Sequence, residues 1–265
     1  MNILDKIIAH KKTEIEKRKQ EVPVSLLEKG SFYERKTLSL KQSLLDKTKT
    51  GIIAEFKRRS PSKGNINETA DVENITRAYM NAGASGLSVL TDTAFFGALS
   101  EDFETARKNS IPILRKDFMI DEYQVTEAKA MGADVILLIA ACLTPARVKQ
   151  LASFALSLGL EVLLELHGEE EIDHICDEVS LVGINNRDLK TFKVDIKRSM
   201  AMADQLKDQK TLIAESGIND VETILLFKQN SFSGFLIGEH FMKQPDPAIA
   251  FVQFVQQLKQ KQHAY

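Results

Sequence analysis

From Gly51 onward the chain repeats one pattern: a short apolar run, a turn, a stretch with helical periodicity, then another run. The runs fall at 52–56, 86–90, 113–114, 135–139, 162–166, 181–184, 212–214 and 234–237. Runs this short, apolar and bounded by turn residues read as buried strands. The expected helices cover 71–82, 101–108, 121–131, a stretch opening at Thr144-Pro145, then 169–177, 195–206, 219–229 and 247–260. The 121–131 helix begins with an acidic cap and stops at Gly132, a residue suited to ending a helix. Pro145 suits a first helical position, where no N–H is needed. Strands that alternate with helices imply a parallel sheet. Eight such units within about 215 residues match a closed (β/α)8 barrel, the TIM barrel. An open doubly wound sheet is the alternative, but no G-x-G-x-x-G follows any run.

Residues 1–48 differ from this repeat. Ile3, Leu4, Ile7 and Ile8 share one helical face and are followed by abundant Lys and Glu, the mark of an amphipathic, exposed helix. Pro23 interrupts it; short helices are expected over 25–29 and 38–45. The division expected is a helical extension over 1–48 packing on a barrel over 49–265.

Composition narrows the function. A net charge of -2 argues against nonspecific nucleic-acid binding, which needs a basic face. Cys142 and Cys176 form no framework or C-x-x-C motif, so a reduced, cytoplasmic setting is expected. The N-terminus carries charges where a signal peptide needs an apolar core. The longest apolar run, 135–143, is too short to span a bilayer. The five histidines show no metal-ligand spacing. Neither a membrane nor a nucleic-acid partner is expected.

In a (β/α)8 barrel, chemistry sits where strands end at the C-terminal face. The first run ends in Glu55 and Lys57, followed by Ser60. Residues two apart on a strand share a side, so this acid and base emerge together. The second run is followed by Phe95-Phe96-Gly97, the third by Arg115-Lys116-Asp117-Phe118. The fifth ends in Glu165, the sixth in Asn185-Asn186-Arg187-Asp188, the seventh in Glu215-Ser216-Gly217 and the eighth in Gly238-Glu239. Each residue alone has a plain role: a solvated lysine, a rim carboxylate, a turn-forming asparagine. Random decoration would fall at both ends of the runs; here polar residues collect at one. Gly217 and Gly238 let the backbone approach a ligand, and Glu239 would open a short helix whose N-terminus suits phosphate. Phe96, Phe118, Leu137 and Leu189 stand beside the same ends. Core packing explains each alone; an aromatic substrate explains them as a group. His167 and His174 read as rim and helix residues.

The stretch 53–64, Ile-Ala-Glu-Phe-Lys-Arg-Arg-Ser-Pro-Ser-Lys-Gly, resembles the signature of indole-3-glycerol phosphate synthases. So do Leu114-Arg115-Lys116-Asp117-Phe118, the stretch Gly183 to Leu189, and Ala214-Glu215-Ser216-Gly217-Ile218. The resemblance implies a single barrel with a helical extension over its active mouth. It implies a carboxy-lyase that converts 1-(2-carboxyphenylamino)-1-deoxyribulose 5-phosphate to indole-3-glycerol phosphate for tryptophan synthesis, without cofactor or metal. By position, Lys116 would be the general acid at the ribulose carbonyl and Glu165 the acid/base of dehydration. Lys57 would neutralise the anionic substrate and donate a proton in dehydration. Glu55 and Asn185 would orient these lysines and the sugar hydroxyls, and Glu215 and Ser216 would hold the ribulose chain. Gly217, Gly238 and the backbone of Glu239 would cradle the phosphate, and Arg187 and Ser60 would complete the polar wall. Some relatives carry serine where Glu239 stands; an acidic side chain there would have to point away from a phosphate. A second lysine and partial burial would lower the pKa of Lys116 toward neutrality. A monomer is expected, with a dimer as the alternative. A related reading, phosphoribosylanthranilate isomerase, looks for a cysteine–aspartate pair, whereas Glu55 and Lys57 occupy the first run. A binding module built on the basic stretch 57–63 would need a wider basic stripe than this chain carries.

Overall fold

The computed structural model describes residues 3–187, 194–207 and 209–262. Eight strands close into a barrel: β1 (Ile52–Phe56), β2 (Gly86–Leu90), β3 (Ile113–Lys116), β4 (Val135–Ile139), β5 (Glu161–Leu166), β6 (Leu181–Asn185), β7 (Thr211–Glu215) and β8 (Phe232–Ile237). All neighbours are parallel, and β8 closes onto β1 with Ile53 opposite Leu236. The chain therefore adopts the expected TIM barrel, not the open-sheet alternative.

The register explains which residues reach the mouth. Ile52, Ala54 and Phe56 pack outward against the helices, whereas Ile53 joins the interior cluster with Leu114, Leu163, Leu181 and Ile213. Two residues further along a strand lies the same face. That places Glu55, Lys116, Glu165 and Glu215 directly above the interior residues of their strands, and Asn185 one step above Gly183. Burying the leucine and isoleucine layer lifts the charged layer into the mouth. Lys116, Asn185 and Glu215 are the last residues of their strands. Backbone pairing continues past the apolar runs, so the strands run longer than apolarity alone indicates.

Most expected helices form within a residue or two of their expected bounds. Asp71, Asp121, Thr144, Asp195 and Asp220 each cap a following helix through the side-chain oxygen, satisfying N–H groups that the first turn leaves free. One expectation fails. The segment expected as a helix over 169–177 is a 3-10 turn, Glu169–His174. Three consecutive glutamates crowd its start, and the Glu171 carboxylate accepts the backbone N–H of His167 at 2.6 Å, a local bond that competes with helix formation.

The N-terminal segment touches both ends of the barrel. Helix α1 (Ile3–Glu21) brings Ile3, Leu4 and Ile7 to the rim of the mouth. It is not simply an exposed amphipathic helix: the Lys11 side chain is buried and its ammonium lies 3.0 Å from Asp92 and 3.0 Å from Asp117. A buried lysine needs such partners. The helix Leu40–Leu45 lies at the opposite end, where Leu40 and Leu44 complete the interior cluster. The glycines at the start of β2 and in β8 make room for it. A Cβ at Gly86 would come within 2.6 Å of Leu40 Cδ1, and one at Gly234 within 3.2 Å of Leu44 Cδ1. The expected cover over the mouth is therefore one part of a longer wrap.

Candidate active site

A cavity of about 1440 Å³ opens at the C-terminal ends of the strands. Glu55, Lys57, Ser60, Phe96, Lys116, Phe118, Leu137, Glu165, Asn185, Arg187, Glu215, Ser216, Gly217, Gly238 and Glu239 all line it. Of the expected site residues, Leu189 lies outside the described residues, as does Asp188 of the sixth strand end.

At the centre, Lys116 Nζ donates to Glu165 Oε2 at 2.8 Å and to Glu215 Oε2 at 3.3 Å. Asn185 Nδ2 donates to the other oxygen of Glu165 at 2.9 Å. Lys57 pairs with Glu55. The two lysines therefore each have their own carboxylate partners, and this corrects an expectation. Burial alone would lower the pKa of Lys116, but Glu165, Glu215 and Glu55 outweigh it and hold the pKa above the ordinary lysine value. Lys116 is a charged, proton-loaded group in the free protein.

The two carboxylates around Lys116 are pushed apart. Burial works to raise the pKa of Glu165, yet Lys116 and His167 hold it well below the usual carboxylate range. Burial pushes Glu215 up to about 8, with Glu165 and Glu55 adding to the rise against the pull of Lys116. Titratable neighbours whose environments separate their pKa values are the pattern of an acid/base site. The Glu215 Oε1 atom is buried and has no hydrogen-bond partner among the described residues. Glycine makes room for both flanking acids: a Cβ at Gly183 would meet Glu215 Oε1 at 2.0 Å, and one at Gly238 would meet Glu55 Oε1 at 2.4 Å.

One wall is apolar. The rings of Phe96 and Phe118 have centroids 6.0 Å apart, and Leu137 lies beside them along the same cavity. The other side is a backbone shelf. Ser216 and Gly217 both take left-handed backbone conformations, with φ of 67° and 72°, and Asn186 Nδ2 donates to the Ser216 carbonyl at 2.7 Å. A serine there is strained, and such strain collects at functional sites. Gly238 precedes the short helix Glu239–Met242, as expected. The Glu239 carboxylate does not turn away from the cavity's cations. It lies 3.5 Å from Arg187 Nη2 and 3.7 Å from Lys63 Nζ, because two nearby positive charges attract it.

Three groups escaped the sequence reading. Ile3, Leu4 and Ile7, expected as one apolar face of the N-terminal helix, line the cavity itself, a direct role that periodicity alone does not announce. Arg198 lines it and donates to the Asn185 carbonyl at 3.0 Å. His167, read as a rim residue, is buried and its Nε2 lies 3.0 Å from Glu165 Oε1. Its spacing of two from Glu165, one residue past the end of β5, was a usable signal. Among the described residues no cluster of histidine, cysteine, aspartate and glutamate is arranged to hold a metal ion.

Comparison with known proteins adds the family. The sequence model described as indole-3-glycerol phosphate synthase matches residues 4–254. Proteins named indole-3-glycerol phosphate synthase from Bacteroides thetaiotaomicron and Salinibacter ruber are 46% and 42% identical to this chain. The first alignment covers 97% of this chain and 99% of its relative, the second 94% of each. Among solved structures, the tryptophan synthase α-subunit of Pyrococcus furiosus matches with a TM-score of 0.61 at 15% identity. That match covers 80% of this chain and 99% of the other and supports the fold alone.

Proposed function

We propose, from the premise that this chain belongs to the indole-3-glycerol phosphate synthase family, that the cavity at the C-terminal face of the barrel is its active site and Lys116 its general acid. As a member of that family the chain is a carboxy-lyase of tryptophan biosynthesis. It closes the pyrrole ring of 1-(2-carboxyphenylamino)-1-deoxyribulose 5-phosphate, releases carbon dioxide and water, and yields indole-3-glycerol phosphate. The observation that carries the site assignment is Lys116 held between Glu165 and Glu215, with an apolar wall on one side and glycine-bearing turns on the other.

The chemistry follows from the substrate. The ring carbon bearing the carboxylate attacks the ribulose ketone, and the developing alkoxide takes a proton from Lys116, which is already charged in the free protein. Loss of carbon dioxide then restores aromaticity, with no electron sink required. Dehydration needs an acid and a base: Glu165 takes the base role while ionised, and Lys57 supplies a proton to the leaving hydroxyl. Proton transfers of this kind each contribute ~10²–10⁴-fold. Glu55 and Asn185 orient Lys57 and Glu165. Glu215, protonated near neutrality, and Ser216 hold the ribulose hydroxyls; the unpaired Glu215 Oε1 is available for one of them. Gly217, Gly238 and the Glu239 backbone cradle the phosphate, with Arg187 and Ser60 on the polar wall. Phe96, Phe118 and Leu137 hold the aromatic ring, and Leu189 completes this group. Glu239 stands as an internal anion that the substrate phosphate displaces from Arg187 and Lys63.

Residues 1–48 form the helical extension and 49–265 the catalytic barrel. A monomer is the proposed active form; light scattering that gave a dimer as the active species would support the alternative. Two free cysteines suit a cytoplasmic setting. The test of the whole reading is turnover of the purified protein on the named substrate, followed by indole fluorescence. Signal without added metal is expected. A well-folded protein that gives none contradicts the reading, and turnover of the isomerase's substrate instead would favour that enzyme.

A further inference from the structure

We propose that His167 is a positioning residue that holds the Glu165 carboxylate in its working orientation. The inference rests on the role assigned to Glu165 above. His167 follows β5 by one residue and shares the inward face with Glu165, two positions earlier. Its ring is buried, and Nε2 lies 3.0 Å from Glu165 Oε1, the oxygen that also accepts from Asn185. Lys116 occupies the other oxygen. Glu165 thus has a donor on each oxygen, from β3 and β6, and the His167 ring at ion-pair distance beside Oε1 limits how the carboxylate can turn.

A second carboxylate faces the opposite side of the ring. Nδ1 lies 3.8 Å from Glu171 Oε2, and that oxygen accepts the His167 backbone N–H at 2.6 Å. This bond ties the 3-10 turn Glu169–His174 to the end of β5 and sets the ring between two carboxylates. Neither ring nitrogen makes a well-aligned hydrogen bond among the described residues. Buried polar atoms left this way are costly, and catalytic bonds of free enzymes commonly tighten only once ligand binds. The titratable groups facing the ring are Glu165 on β5, Glu171 on the turn after it and Glu215 on β7. Lys116 on β3 faces the same Glu165, and Cys142, after β4, faces Glu165 and Glu171. Carboxylates outnumber cations around the imidazole. They favour its protonated form despite burial, and an imidazolium in turn favours ionised Glu165.

The experiment is the pH dependence of kcat and KM for the wild type, His167→Ala, His167→Gln and Glu165→Gln. The side-chain amide of glutamine can donate near the Nε2 position without the charge. For H167A, kcat is expected to fall about tenfold with little change in KM, and the acidic limb of the kcat profile to move up by about one pH unit as Glu165 becomes easier to protonate. For H167Q, kcat should recover to within a few-fold while the limb stays displaced. In an E165Q background, H167A should add no further loss. A folded H167Q or H167A whose pH profile superimposes on the wild type overturns the inference, as does a fully additive double variant. If H167A does not fold, H167Q decides by the same criterion. E165Q is the control for the premise: wild-type turnover in that variant overturns the Glu165 role, whereas an impaired E165Q beside wild-type-like His167 variants overturns this inference alone.

Discussion

Lys116 shows how far one residue's surroundings can depart from what its type suggests. Lysines are mostly solvated, yet this one sits among three buried carboxylates, Glu55, Glu165 and Glu215. Lys116→Ala is therefore expected to lower ring closure by ~10²-fold or more while retaining part of the affinity for indole-3-glycerol phosphate. Fluorescence titration and single-turnover kinetics measure the two separately. Glu215 carries a second prediction. Its pKa of about 8 in the folded protein exceeds the value of about 4.3 for an unfolded glutamate. Such a group binds its proton more tightly when folded, so its stabilising effect is full below the unfolded pKa and is lost as pH rises through the folded one. The window is about 4.3 to 8. Glu165, shifted the other way, acts below that window. His167, raised from its usual value, also loses stabilisation with rising pH but is present in both proteins. The Tm difference between wild type and Glu215→Gln, followed across this window, should therefore change steadily against the wild type as pH rises. A difference that stays constant from pH 5 to 8 would contradict the assignment. The residue types of this site were legible because they stand at strand ends. Their mutual electrostatics were not, since pairing Lys116 with Glu165 and Glu215 joins β3, β5 and β7. His167 is legible by the same two-residue spacing that links Glu55 to Lys57, since it stands two residues beyond Glu165.

At the scale of elements, the N-terminal helices contribute more than shielding. Lys11 binds α1 to Asp92, which caps the short helix Thr93–Phe96, and to Asp117, the neighbour of Lys116. Removing one member of a buried charge cluster leaves the others uncompensated. Lys11→Met is expected to cost about 3–5 kcal/mol, measurable by urea denaturation, and to increase proteolytic cleavage near the α1 connection. At the other end, Leu44→Ala should cost about 2–5 kcal/mol with kcat little changed, because Leu44 packs against the base of the barrel and not the mouth. Periodicity revealed α1 as amphipathic, yet it could not show that Lys11 would be drawn into a buried pocket by two distant aspartates. The 3-10 turn after β5 escaped for a similar reason: a side-chain bond from Glu171 to the His167 backbone decides it, and no periodic pattern encodes that.

For the molecule as a whole, eight similar units place eight strand ends around one opening, and the chemistry needs contributions from most of them. The barrel was readable from the recurrence of apolar runs, since parallel strands buried on both faces must be apolar throughout. The wrap of the N-terminal helices around both ends was not, because it depends on glycines in β2 and β8 leaving holes that Leu40 and Leu44 fill. The account's central claim is that these separate strand ends form one binding site for a phosphorylated aromatic molecule. A crystal structure with indole-3-glycerol phosphate tests it most directly. The indole is expected against Phe96, Phe118 and Leu137, the phosphate on the backbone N–H groups of Gly217, Gly238 and Glu239, and Lys116 within hydrogen-bonding reach of the ligand. A phosphate bound elsewhere, or a ligand out of reach of Lys116, Lys57 and Glu165 together, would contradict it.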